Sequence, residues 1–266
     1  MDNSEPEYKT PLIHLRLNVE NRNITTPVVN ISGASFTATF NNEEIKGKGH
    51  EDSNTVMHFS PLKADWEKID FSCDSIVIRD LIHPKMNIHI VSNFPLQNIN
   101  SLLDENTLAF TKGSGKINMN YSGSLEANYD SLRSITGTFR MDSAGLDYIP
   151  RNLQFVNGQG NVRFHNKDIY IEQLSLNSGS SDLLMNGKLN SVFYLINQKN
   201  NKLSIDWNIR SNKLNLNDFT SYLKQVRVKA ATKKKKSSLA QTLTQFTALL
   251  ESANFNLDLG CQTVNL

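Results

Sequence analysis

The feature that most limits how this chain can fold is an alternation of apolar and polar side chains with a period of two residues. It recurs along most of the sequence, and clear examples are residues 13–19, 36–40, 117–121, 162–164, 169–171 and 203–209. Successive side chains of a β-strand point to opposite faces of the sheet, so this period predicts strands with one apolar and one polar face. Such half-buried strands are typical of antiparallel meanders rather than of a parallel sheet covered by helices.

We expect roughly 15 to 18 strands of mostly 5–8 residues. Short steps of an apolar residue, then Ser, Thr or Asn, then Gly interrupt the alternation, and they begin at Ile31, Tyr121, Ile135, Val156 and Met185. Gly and Asn tolerate positive φ, so each step is typical of a hairpin turn or a bulge. The predicted fold class is therefore mainly β, with antiparallel meandering repeats that form a curved, groove-like sheet and two or three short helices.

Helical spacing of apolar residues is limited to three short segments, 95–103, 217–226 and 238–252. In the last of these, Ser238 and Gln241 form a capping box, and a stripe of Leu and Phe follows. We expect this amphipathic helix to pack on the sheet, because its polar face carries no cation that would hold it on a membrane.

An internal similarity supports a repeat architecture. The segment 88–93, Ile-His-Ile-Val-Ser-Asn, is echoed by Trp-Asn-Ile-Arg-Ser-Asn at 207–212, and a short helical pattern follows each copy. Because a strand pattern runs to the final residue, we interpret the chain as a piece of a longer protein. We divide it into an N-terminal tail over 1–11 and a repeating β-groove over 12–227, with repeats of about 12–130 and 131–227. A Lys-rich linker over 228–237 and the amphipathic helix over 238–252 follow. The last part, 253–266, is the start of a further, truncated strand repeat.

Charge and hydropathy exclude several classes of protein. Positive and negative residues number 28 and 26, and the net charge of +2 indicates no nucleic-acid partner. The lysines at 233–236 lack interleaved aromatic residues, so we interpret them as part of a solvated linker. A mean hydropathy of −0.41 and the lack of an apolar run of about 18 residues argue against a polytopic membrane protein. The first residues also lack the pattern of a signal peptide.

The sequence contains no motif of catalytic chemistry. Gly113-Ser-Gly-Lys-Ile117 is similar to the end of a phosphate-binding loop, but Phe110 occupies the position of the first Gly and Ile117 that of the magnesium-binding Ser or Thr. We interpret this segment as a hairpin turn. The six histidines lack metal-ligand spacing, and only two cysteines, Cys73 and Cys261, exclude a disulfide scaffold. We therefore expect a protein that is not an enzyme and that needs no cofactor or metal.

The stretch from Ile135 to Leu189 carries a family resemblance. It contains Ile135-Thr-Gly-Thr-Phe-Arg-Met-Asp142, then Leu153-Gln-Phe-Val-Asn-Gly-Gln-Gly-Asn-Val-Arg-Phe164, then Ile169-Tyr-Ile-Glu-Gln-Leu-Ser-Leu176, then Leu183-Leu-Met-Asn-Gly-Lys-Leu189. This order of strand motifs resembles the late repeats of the AsmA family of bacterial envelope proteins. The looser similarity covers most of residues 12–225.

The resemblance implies a protein of Gram-negative bacteria that is anchored in the inner membrane and whose body lies in the periplasm. The AsmA family is similar to the bridge-like lipid-transfer proteins, whose stacked β-repeats form a long groove with an apolar inner face. By this resemblance, the chain is a non-enzymatic segment whose groove binds or conducts phospholipid for outer-membrane biogenesis and lipid homeostasis. The family's N-terminal membrane helix is missing from this sequence, so membrane anchoring is expected only of a parent protein.

The alternation assigns a candidate lipid-binding groove to side chains that share one predicted face. The apolar residues expected there are Ile88, Ile90, Ile117, Met119, Tyr121, Val162, Phe164, Ile169, Ile171, Leu203, Ile205, Trp207 and Ile209. The neighbours expected to face solvent include Asn87, His89, Asn118, Asn120, Arg163, Tyr170, Asp206 and Asn208. Phospholipid acyl chains are the expected partner, since they need an extended apolar surface rather than a catalytic pocket. The alternative is a β-sandwich or β-solenoid with a closed core that serves in adhesion or carbohydrate binding.

Overall fold

A computed structural model describes residues 10–25, 30–66, 68–103, 106–126, 134–192, 203–223 and 253–266. These residues form one open sheet of twelve strands, so the protein is mainly β, as the alternation predicts. The strands are β1 (His14–Thr25), β2 (Asn30–Asn41), β3 (Val56–Trp66), β4 (Ile69–Arg79), β5 (Lys85–Pro95), β6 (Leu108–Ser124), β7 (Ser134–Tyr148), β8 (Leu153–His165), β9 (Asp168–Ser178), β10 (Ser181–Asn190), β11 (Ser204–Asn215) and β12 (Asn254–Asn265).

Each strand pairs with its neighbours in sequence, so the order of strands in the sheet is the order in the chain. All pairs from β1 to β11 are antiparallel, as half-buried strands predict. The last pair, β11 and β12, is parallel, and this corrects the expectation of a purely antiparallel meander. Parallel neighbours need a long connection, and residues 216–253 of the sequence lie between these two strands.

The strands are fewer and longer than predicted, because they continue through the steps that end in Gly. All five steps lie inside strands. The pairing register shifts around three of them, at Gly33, Gly158 and Gly187, so these are bulges rather than turns. The hairpin turn predicted at 113–117 is also wrong, since this segment lies inside β6 beside shifts of register with β7.

The described residues include four complete 3₁₀ helices: η1 (Asp52–Asn54), η2 (Leu96–Ser101), η3 (Ile149–Arg151) and η4 (Leu216–Leu223). The helices predicted at 95–103 and 217–226 correspond to η2 and η4, which are shorter and tighter than α-helices. A helix of so few residues gains little stability from cooperative hydrogen bonding along its backbone. In η2 the side chain of Asn100 instead pairs with β6, where it accepts from the N–H of Phe110 and donates to its carbonyl, each at 2.8 Å.

The two similar segments, 88–93 and 207–212, have the same local structure. Each lies in a strand, β5 or β11, and a 3₁₀ helix follows each strand directly. The similarity ends there, since β6 pairs antiparallel with β5 whereas β12 pairs parallel with β11. Three predicted parts lie wholly or mostly outside the described residues: the N-terminal tail, the linker at 228–237 and the helix at 238–252.

Buried side chains gather in three clusters along the sheet rather than in one central core. The first cluster contains Phe94 and Leu96, the second contains Leu189 and Ile205, and the third contains Cys73. The described strands are covered at their sides by other strands of the one sheet, and none of them forms a second layer.

The close approach of β6 and β7 at Gly137 leads to a stability prediction. A Cβ atom at Gly137 would collide with the carbonyl oxygen of Asn118 and lie 2.7 Å from the Cα atom of Met119, and its φ of +140° disfavours other residues. We expect Gly137→Ala to lower the free energy of unfolding by about 2–4 kcal/mol, measured by urea denaturation. Gly47→Ala is the control, because Gly47 has a φ of +81° but no atom within 4 Å of the added Cβ. It should lose about 1 kcal/mol, and equal losses would contradict the collision.

Candidate functional site

One face of the sheet is apolar across all twelve strands and contains the predicted groove residues. Residues directly opposite each other on neighbouring strands point to the same side of a sheet, so the pairing register identifies the side chains that share a face. We name this side the apolar face and define it by three rows of opposed residues.

The first row extends from β3 to β12: Leu62, Cys73, Ile90, Met119, Gly137, Phe164, Ile169, Leu189, Ile205 and Phe255. The second row extends from β5 to β12: Ser92, Ile117, Phe139, Val162, Ile171, Gly187, Trp207 and Leu257. The third row extends from β1 to β7: Leu17, Ala38, Phe59, Ile76, Ile88, Tyr121 and Ile135. Because the rows overlap, the apolar face is continuous.

The predicted groove residues all belong to these rows except Leu203 and Ile209. Ile209 pairs with Met185 and Leu259 beside the second row, and Leu203 directly precedes β11. Three of the predicted residues are buried in one cluster: Ile169, Leu203 and Ile205. The others are half-buried. The buried three therefore pack inside the protein, and the half-buried ones form the accessible part of the face.

Strands β1 to β4 also contribute to the apolar face, and the sequence-based site does not include them. Their alternation is as regular as that of the later strands, for example at Leu17, but only the pairing register connects them with β5. The face is most exposed at the two edges of the sheet, where Leu17 is 57% exposed and Leu257 is 58% exposed. The apolar face therefore extends beyond the groove residues that the sequence predicts.

Aromatic side chains cover glycines on the apolar face. The rings of Phe94 in β5 and Phe139 in β7 stack with centroids 6.4 Å apart, although β6 lies between them. The residue beneath them is Gly115, where a Cβ would lie 2.9 Å from Phe94 and 3.0 Å from Phe139. In the same way Trp207 covers Gly187. Glycine thus allows large side chains of nearby strands to meet and keeps the surface apolar.

The opposite face of the sheet is polar. Asn87, Asn118, Asn120 and Asp206 are exposed, and His89, Arg163, Tyr170 and Asn208 are half-buried. Arg163 and Lys188 lie over the ring of Tyr170, at 4.1 and 5.5 Å from its centroid. Arg163 also donates to Glu172 at 2.7 Å, and this hydrogen bond lowers the pKa of Glu172. These contacts connect β8, β9 and β10 on the polar side.

His89 connects three strands on the polar face. Its Nε2 lies 2.9 Å from Oδ1 of Asn118, and its Nδ1 lies 3.3 Å from Oδ2 of Asp74. The contact with Asn118 raises the pKa of His89 above its ordinary value, Asp74 adds to the effect, and burial opposes it. A raised pKa means that the stabilisation is present at low pH and is lost as the pH rises through the pKa of the folded state. This histidine therefore has a structural role between β4, β5 and β6.

Cys73 lies in the first row of the apolar face and is only 1% exposed. Burial, with a smaller effect of the Asp74 charge, raises the pKa of the Cys73 thiol to about 11, so the thiol stays protonated near neutral pH. Cys261 lies in β12, and both cysteines are free. Because β4 and β12 are far apart in the sheet, no disulfide joins these two residues.

The described residues contain no group of three or more His, Cys, Asp or Glu side chains that could hold a metal ion. An open depression of about 450 Å³ over β2 to β5 includes Lys63, Asp65 and Asp70, and one of about 460 Å³ over β9 to β12 includes Tyr170 and Asp206. Neither lining contains a His or a Cys, but both contain carboxylates, and Ser32, Ser72 and Ser92 line the first.

In the part of the chain that the structure describes, no helix is long and apolar enough to cross a membrane. Comparisons of the chain with protein-family models, curated proteins and solved structures found no match. The resemblance to the AsmA family therefore rests on the strand motifs between Ile135 and Leu189 and on the looser similarity around them.

The two thiols lead to a prediction about accessibility. We expect a maleimide reagent at about pH 7.5 to label Cys261 in the native protein and to leave Cys73 unmodified until the protein unfolds. The reason is the burial of Cys73 and the raised pKa of its thiol. Intact-mass spectrometry measures the labelling, and the Cys261→Ser variant isolates Cys73 as a control. Labelling of Cys73 in this variant at the rate of an exposed thiol would contradict the packing of the first row.

Proposed function

We propose that the apolar face is a groove that binds phospholipid acyl chains and that the chain is a non-enzymatic, AsmA-like segment for lipid transport. The observation that carries this proposal is the continuity of the apolar rows across an open sheet. The described strands all belong to that one sheet, so none of them forms a second sheet over the face. Exposed apolar surface gains about 25 cal/mol per Å² when hydrocarbon covers it, which favours acyl chains as the occupant.

The length of the apolar face favours a path for lipids over a pocket for one chain. Twelve strands at a spacing of about 4.8 Å give a sheet about 53 Å across. The hydrocarbon of one leaflet is only about 15 Å thick, half of the core of a bilayer. One acyl chain therefore covers a fraction of the face, and a lipid can occupy successive positions along it.

An open face suits a phospholipid better than a closed core does. The headgroup phosphate is charged, and moving an unpaired charge out of water costs far more than burying one methylene group gains. Acyl chains that lie on an open face leave the headgroup in water at the rim of the sheet. Binding of this kind needs no catalytic group and no cofactor.

Curvature of the sheet toward its apolar side is part of the proposal. Strands two apart in a sheet are separated by about 9.6 Å, yet the rings of Phe94 and Phe139 meet over Gly115 with centroids 6.4 Å apart. Central residues such as Met119 and Ile171 are half-buried although the described strands form one layer. Both observations support a sheet that is concave on this side and so forms a groove.

The closed-core alternative receives less support. A β-sandwich buries its apolar faces between two sheets, whereas the described strands form one. A β-solenoid stacks parallel strands, whereas all pairs from β1 to β11 are antiparallel. A closed core therefore needs an architecture that differs from the one described.

The cellular place of the chain is proposed from the AsmA resemblance. The four motif segments that carry it correspond one by one to β7, β8, β9 and β10, which lie at the centre of the apolar face. This agreement between motifs and strands supports a periplasmic segment of a protein that is anchored in the inner membrane of a Gram-negative bacterium by a helix outside this sequence.

Adjacent residues of β6 provide a matched test of lipid binding. Met119 is half-buried on the apolar face, and Asn120 is exposed on the polar face. We expect the wild type, purified without harsh detergent, to carry phospholipid that mass spectrometry detects. Met119→Asp should carry clearly less of this lipid, since a carboxylate repels acyl chains from the middle of the face, whereas Asn120→Asp should carry as much as the wild type. The melting temperature of Met119→Asp should fall only modestly, because the new carboxylate stays partly hydrated.

The position of the substitution determines whether the test is informative. Ile205 is 2% exposed, so Ile205→Asp would bury a charge and unfold the protein without reporting on lipid. The unfolding expected of Ile205→Asp differs from the modest loss of stability that the substitution would cause if every predicted groove residue were accessible to solvent. A lipid-free wild type, or an equal loss of lipid in Met119→Asp and Asn120→Asp, would contradict the proposed function.

A further inference from the structure

The polar face carries a row of opposed residues whose charges lie in two separate blocks. Asp65 in β3 pairs with Asp70 in β4, and Lys116 in β6 pairs with Arg140 in β7. Asn93 in β5 pairs with Lys116, and the register of β4 with β5 brings Asn93 across from Asp70. We name these five residues the charged row. Along five neighbouring strands it reads acid, acid, amide, base, base.

The charged row is unfavourable within a single chain. Like charges directly opposite each other on neighbouring strands repel, and each block contains one such pair. Among the residues that the structure describes, the ion pairs involve none of the four charged members of the row. The centres of the two blocks are three strand spacings apart, about 14 Å, which exceeds the Debye length of about 8 Å at physiological ionic strength. The two blocks therefore hardly compensate each other.

We propose that this polar face packs on the polar face of a second copy of the chain, about a two-fold axis that runs along β5. The charged row is antisymmetric about Asn93, because equal steps to either side reach opposite charges. Rotation about an axis along β5 exchanges the two ends of the row and turns the second sheet over, so that the two polar faces meet. Lys116 then lies opposite Asp70 of the second copy, and Arg140 lies opposite its Asp65. Symmetry repeats both ion pairs.

The geometry of packed sheets allows these contacts. An axis along β5 keeps the strands of the two copies aligned, which is a common arrangement of two sheets that lie about 10 Å apart. Asp70, Lys116 and Arg140 are exposed, and Asp65 is half-buried. The long side chains of Lys116 and Arg140 can therefore extend across the gap to the carboxylates of the other copy.

A neighbouring row of the polar face fits the same axis. From β3 to β7 it contains Lys63, Ser72, Val91, Asn118 and Thr138. The axis brings Val91 against Val91 of the second copy, and Lys63 lies opposite Thr138 of that copy. No like charges meet in this row, and the half-buried Val91 gives the interface a small apolar centre.

A second copy suits the charged row better than a simple ion does. An anion between Lys116 and Arg140 would leave the acidic block unpaired, and a cation at Asp65 and Asp70 would leave the basic block unpaired. A patch of five strands by about seven residues measures about 24 by 24 Å, so two copies bury about 1,150 Å² in total. This area lies at the lower limit of specific interfaces, so we expect a weak dimer that salt weakens further. The dimer leaves both apolar faces accessible, and the inference does not depend on lipid binding.

Two charge reversals test this dimer by sedimentation velocity of the 266-residue chain over a range of concentrations. Lys116→Glu puts a carboxylate opposite Asp70 of the second copy, and Asp70→Lys puts an ammonium group opposite Lys116 of that copy. Each variant alone should raise the dissociation constant of the dimer at least about tenfold. Each reversal also removes a like-charge pair within its own chain, so neither should impair folding, and circular dichroism verifies this.

A mixture of the two variants separates charge pairing from a general loss of stability. In a dimer of one Lys116→Glu chain with one Asp70→Lys chain, the new carboxylate lies opposite the new ammonium group. The unchanged Asp70 and Lys116 also lie opposite each other. The mixture should therefore dimerise as the wild type does, although each variant alone does not. Raising the salt concentration from about 50 to 500 mM should weaken the wild-type dimer.

Lys85→Glu is the matched control for Lys116→Glu. Lys85 is exposed on the same face, in β5, but it lies about 27 Å from Asn93 along the strand, so its reversal should leave the dimer unchanged. A wild type that is monomeric at all concentrations would overturn the proposal. So would a mixture of the two variants that stays monomeric, or equal effects of Lys85→Glu and Lys116→Glu.

Discussion

Backbone hydrogen bonding between neighbouring strands is the interaction on which the rest of this structure depends. The described sheet has three separate buried clusters rather than one central core, so the register of the strands decides which side chains meet across it. The first row, from Leu62 to Phe255, is continuous only because the pairing stays in step from β3 to β12. Bulges such as the one at Gly187 absorb local shifts without breaking the ladder.

The alternation in the sequence is sufficient to predict the fold class, because it depends only on the side of a strand that each residue faces. It separates Met119 from Asn120 for the same reason. The number of strands is not predictable in this way, since an Asn-Gly step suits a turn and a bulge equally and distant pairing decides between them. The burial of Ile205 is also invisible in the local pattern, because it depends on Leu189 and Val192 in the same cluster. The parallel pairing of β12 likewise depends on a connection whose path the alternation does not encode.

A paired sheet is a suitable surface for a hydrocarbon chain. Its backbone groups are already hydrogen-bonded between strands, so a lipid that covers the apolar face leaves few polar groups without a partner. Aromatic residues over Gly115 and Gly187 close the gaps that the glycines would leave. Because no second layer of described strands covers the apolar side chains, an acyl chain has room to lie on them. The edge strands of the described sheet are the places where further strands can add.

Fluorescence quenching of Trp207 tests most directly whether acyl chains lie on the apolar face. In a Trp66→Phe variant, Trp207 is the remaining tryptophan, and it lies in the second row. Loading with a phosphatidylethanolamine that carries brominated acyl chains should quench its emission strongly. In the matched control, Trp66→Phe and Trp207→Phe are combined with Asn208→Trp, which moves the indole to the polar face, and the same lipid should quench it little. Unchanged emission of Trp207, or equal quenching on both faces, would contradict a lipid-binding groove.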